Sequence, residues 1–419
     1  MKRITLIAIF IFVCKCLIAQ TAKPNPFAIA SKASEKAPEN YLAPVIALQA
    51  INLKDADRGA LDTWYQALIT YQSFLGDYKN VLFYNDKRYE YELAHQKTQI
   101  DTAFIKGHEF IKAADYLILK AKTEQVMMIN EAHHIAYHRA FVISLLKGFY
   151  NAGYRYLAIE TLEDSLINQK KYPDGETGFY TREPLFGELI REALKIGLKL
   201  IVYEPEQECD NKSSDPNYCS NFRDSLMAVN LKNILQKDPN AKILVYAGYD
   251  HIYEDNDDGW IKMAQNFKRL TGIDPFTVDL VKQTEHLLAQ LNTKEFNAVN
   301  RIAHIKEPVV ALQNSKPWHG DFVDATVFFP EYLKETARPS FYSLGGLRKP
   351  YNLTIIGVKP GQFVQAYYSA EKPGKRIPAD QMITSNTGSQ LLYMFNGGYE
   401  IEVKDKNGTL LKKKTVFIK

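Results

Sequence analysis

Val126-Met127-Met128-Ile129-Asn130 is an apolar run of strand length that stops on Glu131, Ala132, His133 and His134. A buried strand that ends in ionisable groups is the pattern of a parallel α/β sheet, whose sites gather at the carboxyl ends of the strands. The pattern recurs along the chain. Tyr156 to Glu160 and Lys199 to Glu204 are apolar runs ending in a carboxylate, and Lys242 to Ala247 leads into Gly248-Tyr249-Asp250-His251. Phe276 to Val281 is a fifth run of this kind. Amphipathic stretches separate them, the first marked by Ile135, Val142, Leu145, Leu146 and Phe149 at helical spacing. Gly153, Gly197 and Gly272 each follow such a stretch and precede a strand, where a helix C-terminus favours a residue at positive φ. Repeated strand and helix units predict an α/β fold over 121–337, a mostly parallel sheet with flanking helices.

The flanks read differently. Residues 1–19 carry Lys2 and Arg3, an apolar run from Ile4 to Val13, and Leu17-Ile18-Ala19, which together describe a signal peptide cleaved after Ala19. Export to the periplasm or the extracellular space is expected, with lipid attachment at Cys16, as an outer-membrane lipoprotein or surface-attached protein, the alternative. Residues 20–120 read as a linker, Thr21 to Asn40, followed by a helical N-terminal preface. Its patterns are Leu61-Trp64-Leu68-Tyr71-Phe74 and Phe104-Phe110-Ile111-Tyr116-Leu117. Beyond residue 338 short alternating runs take over: Leu353 to Val358, Phe363 to Ala370, Leu391 to Phe395, Tyr399 to Val403 and Lys413 to Ile418. With the hairpin signal Asn407-Gly408, they predict a small C-terminal all-β sandwich-like domain over 338–419.

Charge narrows the partners. Subtracting Lys2, Arg3 and Lys15 from the formal +4 leaves +1, and no basic patch or tail points to nucleic acid. A small-molecule substrate is the expected partner, with no membrane span once the signal is removed. Cys209 and Cys219, the two cysteines beyond the signal, are expected to pair in an oxidising compartment.

Read in order, the strand ends deliver Glu131 and His134, then Glu160, then Glu204, then Asp250 and His251, all on one edge of a parallel sheet. Ionisable groups crowded in this way shift one another's pKa, which general acid and base chemistry requires. Glu131, His134 and His138 are spaced to share a helical face, so they form an alternative site for a divalent metal.

Asn221-Phe222-Arg223-Asp224 followed by Met227-Ala228-Val229-Asn230, a helix and an apolar strand ending in His251 resembles the erythromycin esterase family. Glu131-Ala132-His133-His134 resembles that family's Glu-x-x-His, and Leu157-Ala158-Ile159-Glu160 its apolar strand ending in Glu, with order and spacing agreeing over about residues 126–281. The wider superfamily includes haem-uptake ChaN-like and Tiki-like proteins. The resemblance implies a catalytic set of Glu131, His134, Glu160, Arg223 and His251, with His134 activating water, Glu160 orienting the imidazoles and Arg223 binding an oxyanion or carboxylate. Arg182 resembles a second family arginine, and His133, Glu204 and Asp250 stand beside it as substrate contacts. Asn130 replaces the family's usual Gly, and His133 its Thr. With no Gly-x-Ser-x-Gly elbow present, the expectation is a hydrolase of the esterase-like kind that needs no cofactor, in which water attacks an ester or related bond. Two alternatives stand beside it: a haem- or iron-binding uptake protein using Tyr249, His133 and His251, and a metal-dependent hydrolase or protease using Glu131, His134 and His138.

Overall fold

The computed structural model describes residues 25–93, 96–255, 258–332, 338–388 and 390–419. The signal-peptide reading of residues 1–19 lies outside them.

The central sheet has nine strands: β1 (Glu109–Lys112), β2 (Val126–Glu131), β3 (Tyr156–Ile159), β4 (Lys199–Val202), β5 (Ile243–Gly248), β6 (Phe276–Asp279), β7 (Val309–Gln313), β8 (Lys316–Pro317) and β9 (Ala325–Phe328). They lie in the order β1-β7-β9-β6-β2-β5-β3-β4, with β8 paired to β7. From β9 to β4 every pairing is parallel, whereas β1, β7 and β8 add antiparallel pairs on one side. All six residues of β2 and of β5 are buried, because helices cover both faces, and this is why both strands read as continuous apolar runs. Alternate side chains divide between the two faces. Met127, Ile129, Leu244 and Tyr246 join one core with the helices Ala136–Asn151 and Pro184–Ile196, while Val126, Met128, Ile243 and Val245 join another with Tyr218–Lys237 and Met263–Thr271.

Register aligns the chemistry. Glu131 pairs with Gly248 across β2 and β5, and Ile159 faces Tyr246 and Val202, so the residues that follow β3 and β4 emerge on the same edge. Gly197 closes the helix Pro184–Ile196 at φ 100°, the left-handed conformation that the sequence required there.

Three local expectations are corrected. Thr21 to Asn40 is not all linker: Pro26–Lys36 is a helix, started by Pro26 and capped by Asn25, whose side chain accepts from Phe27 N at 2.8 Å. Phe110 and Ile111 do not continue a helix from Phe104 but form β1, between the helices Thr102–Gly107 and Ala113–Ala121. Leu353 to Val358 is not a strand, because Asn352 accepts from Thr354 N at 3.0 Å and turns Leu353–Ile356 into a single 3₁₀ helix that buries Leu353 and Ile356.

The C-terminal part holds β10 (Lys349–Asn352), β11 (Phe363–Tyr368), β12 (Asp380–Ile383), β13 (Leu391–Met394), β14 (Gly397–Lys404) and β15 (Leu410–Ile418), in two antiparallel sheets, β10-β13 and β12-β11-β14-β15. Asn407 and Gly408 turn β14 into β15, with Gly408 at φ 82°. A buried ion pair and a hydrogen bond tie this part to the α/β body: Arg191 grips Glu371 at 2.6 and 2.9 Å, and Tyr368 donates to Glu188 at 3.0 Å. Among the described residues no helix is long and apolar enough to cross a membrane.

Candidate functional site

At the end of β2, Glu131 is buried and held on every side. Arg139 donates to both of its oxygens at 2.8 and 2.7 Å, Tyr246 donates at 2.7 Å, and Nδ1 of His133 lies 2.9 Å away. Burial by itself would raise the pKa of this carboxyl, but the Arg139 charge and these hydrogen bonds win and hold it down at about 2. Arg139 is itself fully buried and also reaches Glu183 at 3.1 Å and the His133 carbonyl at 2.7 Å. A charged residue inside the apolar run from Ala136 to Leu146 was the available signal, since such a group needs a buried partner.

Glu160, just past β3, is the hub. Arg223 Nη2 donates to its Oε1 at 2.7 Å, and the Gly248 N–H donates to its Oε2. Nε2 of His251 lies 3.7 Å and Nε2 of His133 4.0 Å from the same Oε1. Burial would raise the Glu160 pKa, but the two imidazoles and Arg223 outweigh it and lower it. Glu204, from the end of β4, accepts two further bonds from Arg223, at 2.9 and 2.8 Å. The guanidinium thus holds two carboxylates and also approaches Nε2 of His251 at 3.1 Å. Its side chain remains 38% exposed, which leaves it open to a ligand.

His251 is oriented by a residue to which the sequence reading gave no role. Asp224, fully buried one position after Arg223, meets Nδ1 of His251 at 2.5 Å and accepts from the Trp260 indole N–H. Burial opposes charge on His251, yet the Asp224 hydrogen bond and the Glu160 charge prevail and lift its pKa above the ordinary histidine value.

His133, assigned a peripheral role by sequence, lies at the centre. Its ring stacks on Tyr180 at 4.0 Å, meets Tyr249 edge-on at 5.3 Å, and packs so closely on Gly248 that a Cβ there would overlap Cε1 and Nε2. Asn130 serves this arrangement from below. Its amide donates at 2.9 Å to both the Tyr249 carbonyl and Asp279, and its oxygen accepts from Leu280 N at 2.7 Å, which clamps the ends of β2, β5 and β6. Tyr249 itself sits at φ 44°, a conformation uncommon for a bulky residue and secured here by that clamp.

Four other sequence-chosen residues fall elsewhere. The helix starts at Ala136, so Glu131, His134 and His138 do not share a helical face. His134 turns away from Glu160 to put Nδ1 3.1 Å from the Tyr249 hydroxyl, and burial with neighbouring imidazole charge pushes its pKa down to about 3. His138 is fully buried, accepting from Ala132 N at 3.1 Å and meeting Thr284 Oγ1 at 2.8 Å, so both ring nitrogens are occupied. Among the described residues no group of three or more His, Cys, Asp or Glu side chains is placed to hold a metal ion. Arg182 donates to the Gly175 carbonyl at 3.1 Å and lines a cavity with Tyr41 and Lys375. Asp250 is nearest Lys262, at 3.7 Å.

Cys209 and Cys219 form the expected disulfide, which closes the loop leading into the helix that carries Arg223 and Asp224. For a loop this short the crosslink is worth about 3 kcal/mol on the chain-entropy account. Cys209→Ser with Cys219→Ser should lower the urea-unfolding free energy by about 2–3 kcal/mol, and an unchanged midpoint would show that the loop does not share in global unfolding.

No family model matches the chain, and no curated protein sequence matches it significantly. Among solved structures it is similar to the type III effector HopBA1 (12% identity, 41% of this chain and 85% of that one, TM-score 0.30). It is also similar to RRSP, a MARTX toxin effector domain from Vibrio vulnificus (11% identity, 66% and 67% covered, TM-score 0.32). A third is the Pasteurella multocida toxin, described as having a thiol-protease-like catalytic triad in its C-terminal region (11% identity, 94% and 61% covered, TM-score 0.33). At these scores none of the three fixes the fold or the chemistry of this chain.

Proposed function

We propose that this is a hydrolase of the erythromycin esterase-like kind, using two imidazoles and an arginine to add water to an ester or related bond of a small molecule. One observation carries the reading. His133 and His251 each have Nδ1 on a buried carboxylate, Glu131 and Asp224, and each brings Nε2 to within 4.0 Å of the same Glu160 oxygen beside Arg223. A carboxylate on Nδ1 fixes the tautomer and stabilises the imidazolium, so each ring is set to exchange a proton through Nε2. The two rings differ in their setting. His251, with its raised pKa, suits donation to a leaving alkoxide once the substrate draws Arg223 off its Nε2, which accepts from the guanidinium in the free site, and His133 suits acceptance of a proton from attacking water. The tetrahedral oxyanion would form beside Arg223, whose fork of donors meets developing negative charge. Glu160, between the two Nε2 atoms, would return the proton from His133 to His251 and reset the pair. His134, the base implied by the family resemblance, gives way to His133 in this scheme.

A panel of small esters assayed on single variants tests it. His133→Ala and His251→Ala should each lower kcat/KM by about 10²- to 10⁴-fold, the usual contribution of a general acid or base, while His134→Ala stays within about tenfold. Retention of turnover by both His133→Ala and His251→Ala would sink the scheme, and loss confined to His134→Ala would restore the original assignment.

A further inference from the structure

On the other side of Tyr249 from His133 lies a separate cavity of about 340 Å³, within the size range of small-molecule sites. Its apolar wall is formed by Leu82, Ile135, Val281 and Leu291. The charged groups around it are already hydrogen-bonded. Arg88 is held by Asp62 at 2.7 and 3.2 Å. Glu285 accepts from the Tyr78 hydroxyl and from Tyr332 N, both at 2.9 Å. Next to the wall, Asp86 accepts from Leu288 N and meets Nδ1 of His286, both at 2.7 Å. With Arg88 already neutralised by Asp62, an anionic ligand would meet the carboxylates of Glu285 and Asp86, whereas a neutral one would bury apolar surface without that repulsion. His134 supplies a polar contact: its Nδ1 is engaged by Tyr249, and its low pKa keeps the ring uncharged at neutral pH.

Tyr249 joins this cavity to the proposed reacting groups. Its ring edge touches His133, its hydroxyl meets His134, and its backbone is fixed by Asn130. A molecule seated in the cavity therefore ends one side chain, Tyr249, away from His133. We propose that the cavity is the recess for an uncharged, mainly apolar arm of the substrate, with His134 as a hydrogen-bonding contact to that arm and not a proton-transfer group. The assignment of this arm to a substrate rests on the hydrolase reading above; the preference for a neutral apolar group rests on the cavity alone.

Two dyes of nearly the same skeleton separate the two points. N-phenyl-1-naphthylamine is neutral, and 1-anilinonaphthalene-8-sulfonate carries a sulfonate. The protein should bind the neutral dye at least tenfold more tightly. Leu291→Trp, which takes up space in the cavity, should weaken that binding at least tenfold, and Leu291→Ala should leave it within about threefold. Melting curves of both variants identify any that fails to fold, and Leu291→Ala with Val281→Trp then replaces it as the probe of the same wall. Tighter binding of the sulfonate, or neutral-dye binding unmoved by both tryptophan variants, overturns the proposal. The neutral dye should also inhibit ester turnover competitively. If it binds as expected and no ester is hydrolysed, the hydrolase reading fails and the neutral cavity stands. Hydrolysis that the bound dye leaves untouched removes the cavity from the substrate path and spares the catalytic scheme.

Discussion

Arg139→Leu should destabilise the fold by about 3–5 kcal/mol, the range found when one partner of a buried ion pair is removed. Arg139 is fully buried, with Glu131 and Glu183 also buried on either side of it. Removing the guanidinium leaves two carboxyl groups in a site that favours neither of their charges. Glu183 already shows the tendency: burial raises its pKa despite Arg139 and the helix N-terminal N–H groups it caps. Urea unfolding measures the loss. Adding Glu131→Gln and Glu183→Gln to Arg139→Leu should return a substantial part of it, because neutral amides in place of carboxylates remove the uncompensated charge. A triple variant no more stable than Arg139→Leu would show that the arginine acts mainly by packing, for instance against the Phe186 ring 4.6 Å from it.

The pH dependence gives this prediction a sign. The folded pKa of Glu131, about 2, lies below its ordinary 4.5, so its contribution is present above 4.5 and is lost as pH falls towards 2. Without Arg139, burial dominates and the folded pKa should rise above 4.5. Stability is then present at low pH and lost as pH rises through the new value. The Glu131 contribution should therefore fall in wild type as pH drops from about 4.5 towards 2, and in Arg139→Leu as pH rises above about 4.5, once other groups, common to both, are subtracted.

Much of this architecture was legible because the central strands are buried on both faces. The apolar runs from Val126, Tyr156, Lys199, Lys242 and Phe276 all form parallel strands, close to the expected bounds. β1, β7 and β9 were missed, β1 because Ile111 stands seven residues after Phe104, a spacing that also suits a helix. The strand-end rule named Glu131, Glu160, Glu204 and His251, which the structure brings to one edge, and Arg223, named by the family resemblance, joins them from the helix Tyr218–Lys237. It failed where direction depended on a turn. His133 and His134 are adjacent in sequence, and nothing in their spacing says which faces Glu160. Gly248 decides it, because the bare backbone at that position leaves room for the His133 ring. Asp224 and Arg139 escaped for another reason: each acts through a buried contact with a residue distant in sequence, and a helical spacing cannot show that.

Gly248→Ala should abolish the arrangement while sparing the fold. The glycine has φ −81°, which alanine adopts freely, so the substitution acts only through the space it takes. That space belongs to His133. A new Cβ would overlap Cε1 and Nε2 of the imidazole and would lie 3.1 Å from Oε2 of Glu160. The ring has little freedom to yield, stacked on Tyr180 at 4.0 Å and anchored to Glu131 at 2.9 Å. An overpacked contact of this kind costs typically about 1–3 kcal/mol, a loss a body of this size should survive with its melting transition intact. Displacement of a reacting group by about 1 Å can cost about 100-fold in rate, so ester turnover should fall at least that far on the proposed scheme. Two further measurements tie the effect to His133. The His133 imidazole resonance should shift in Gly248→Ala, whether or not a substrate is known. In the double variant, His133→Ala should add little to the loss already caused by Gly248→Ala, since two changes that disable one group do not add. Full turnover by a folded Gly248→Ala protein would show that the observed seat of His133 is not needed for the chemistry, and the role of base would then pass from it.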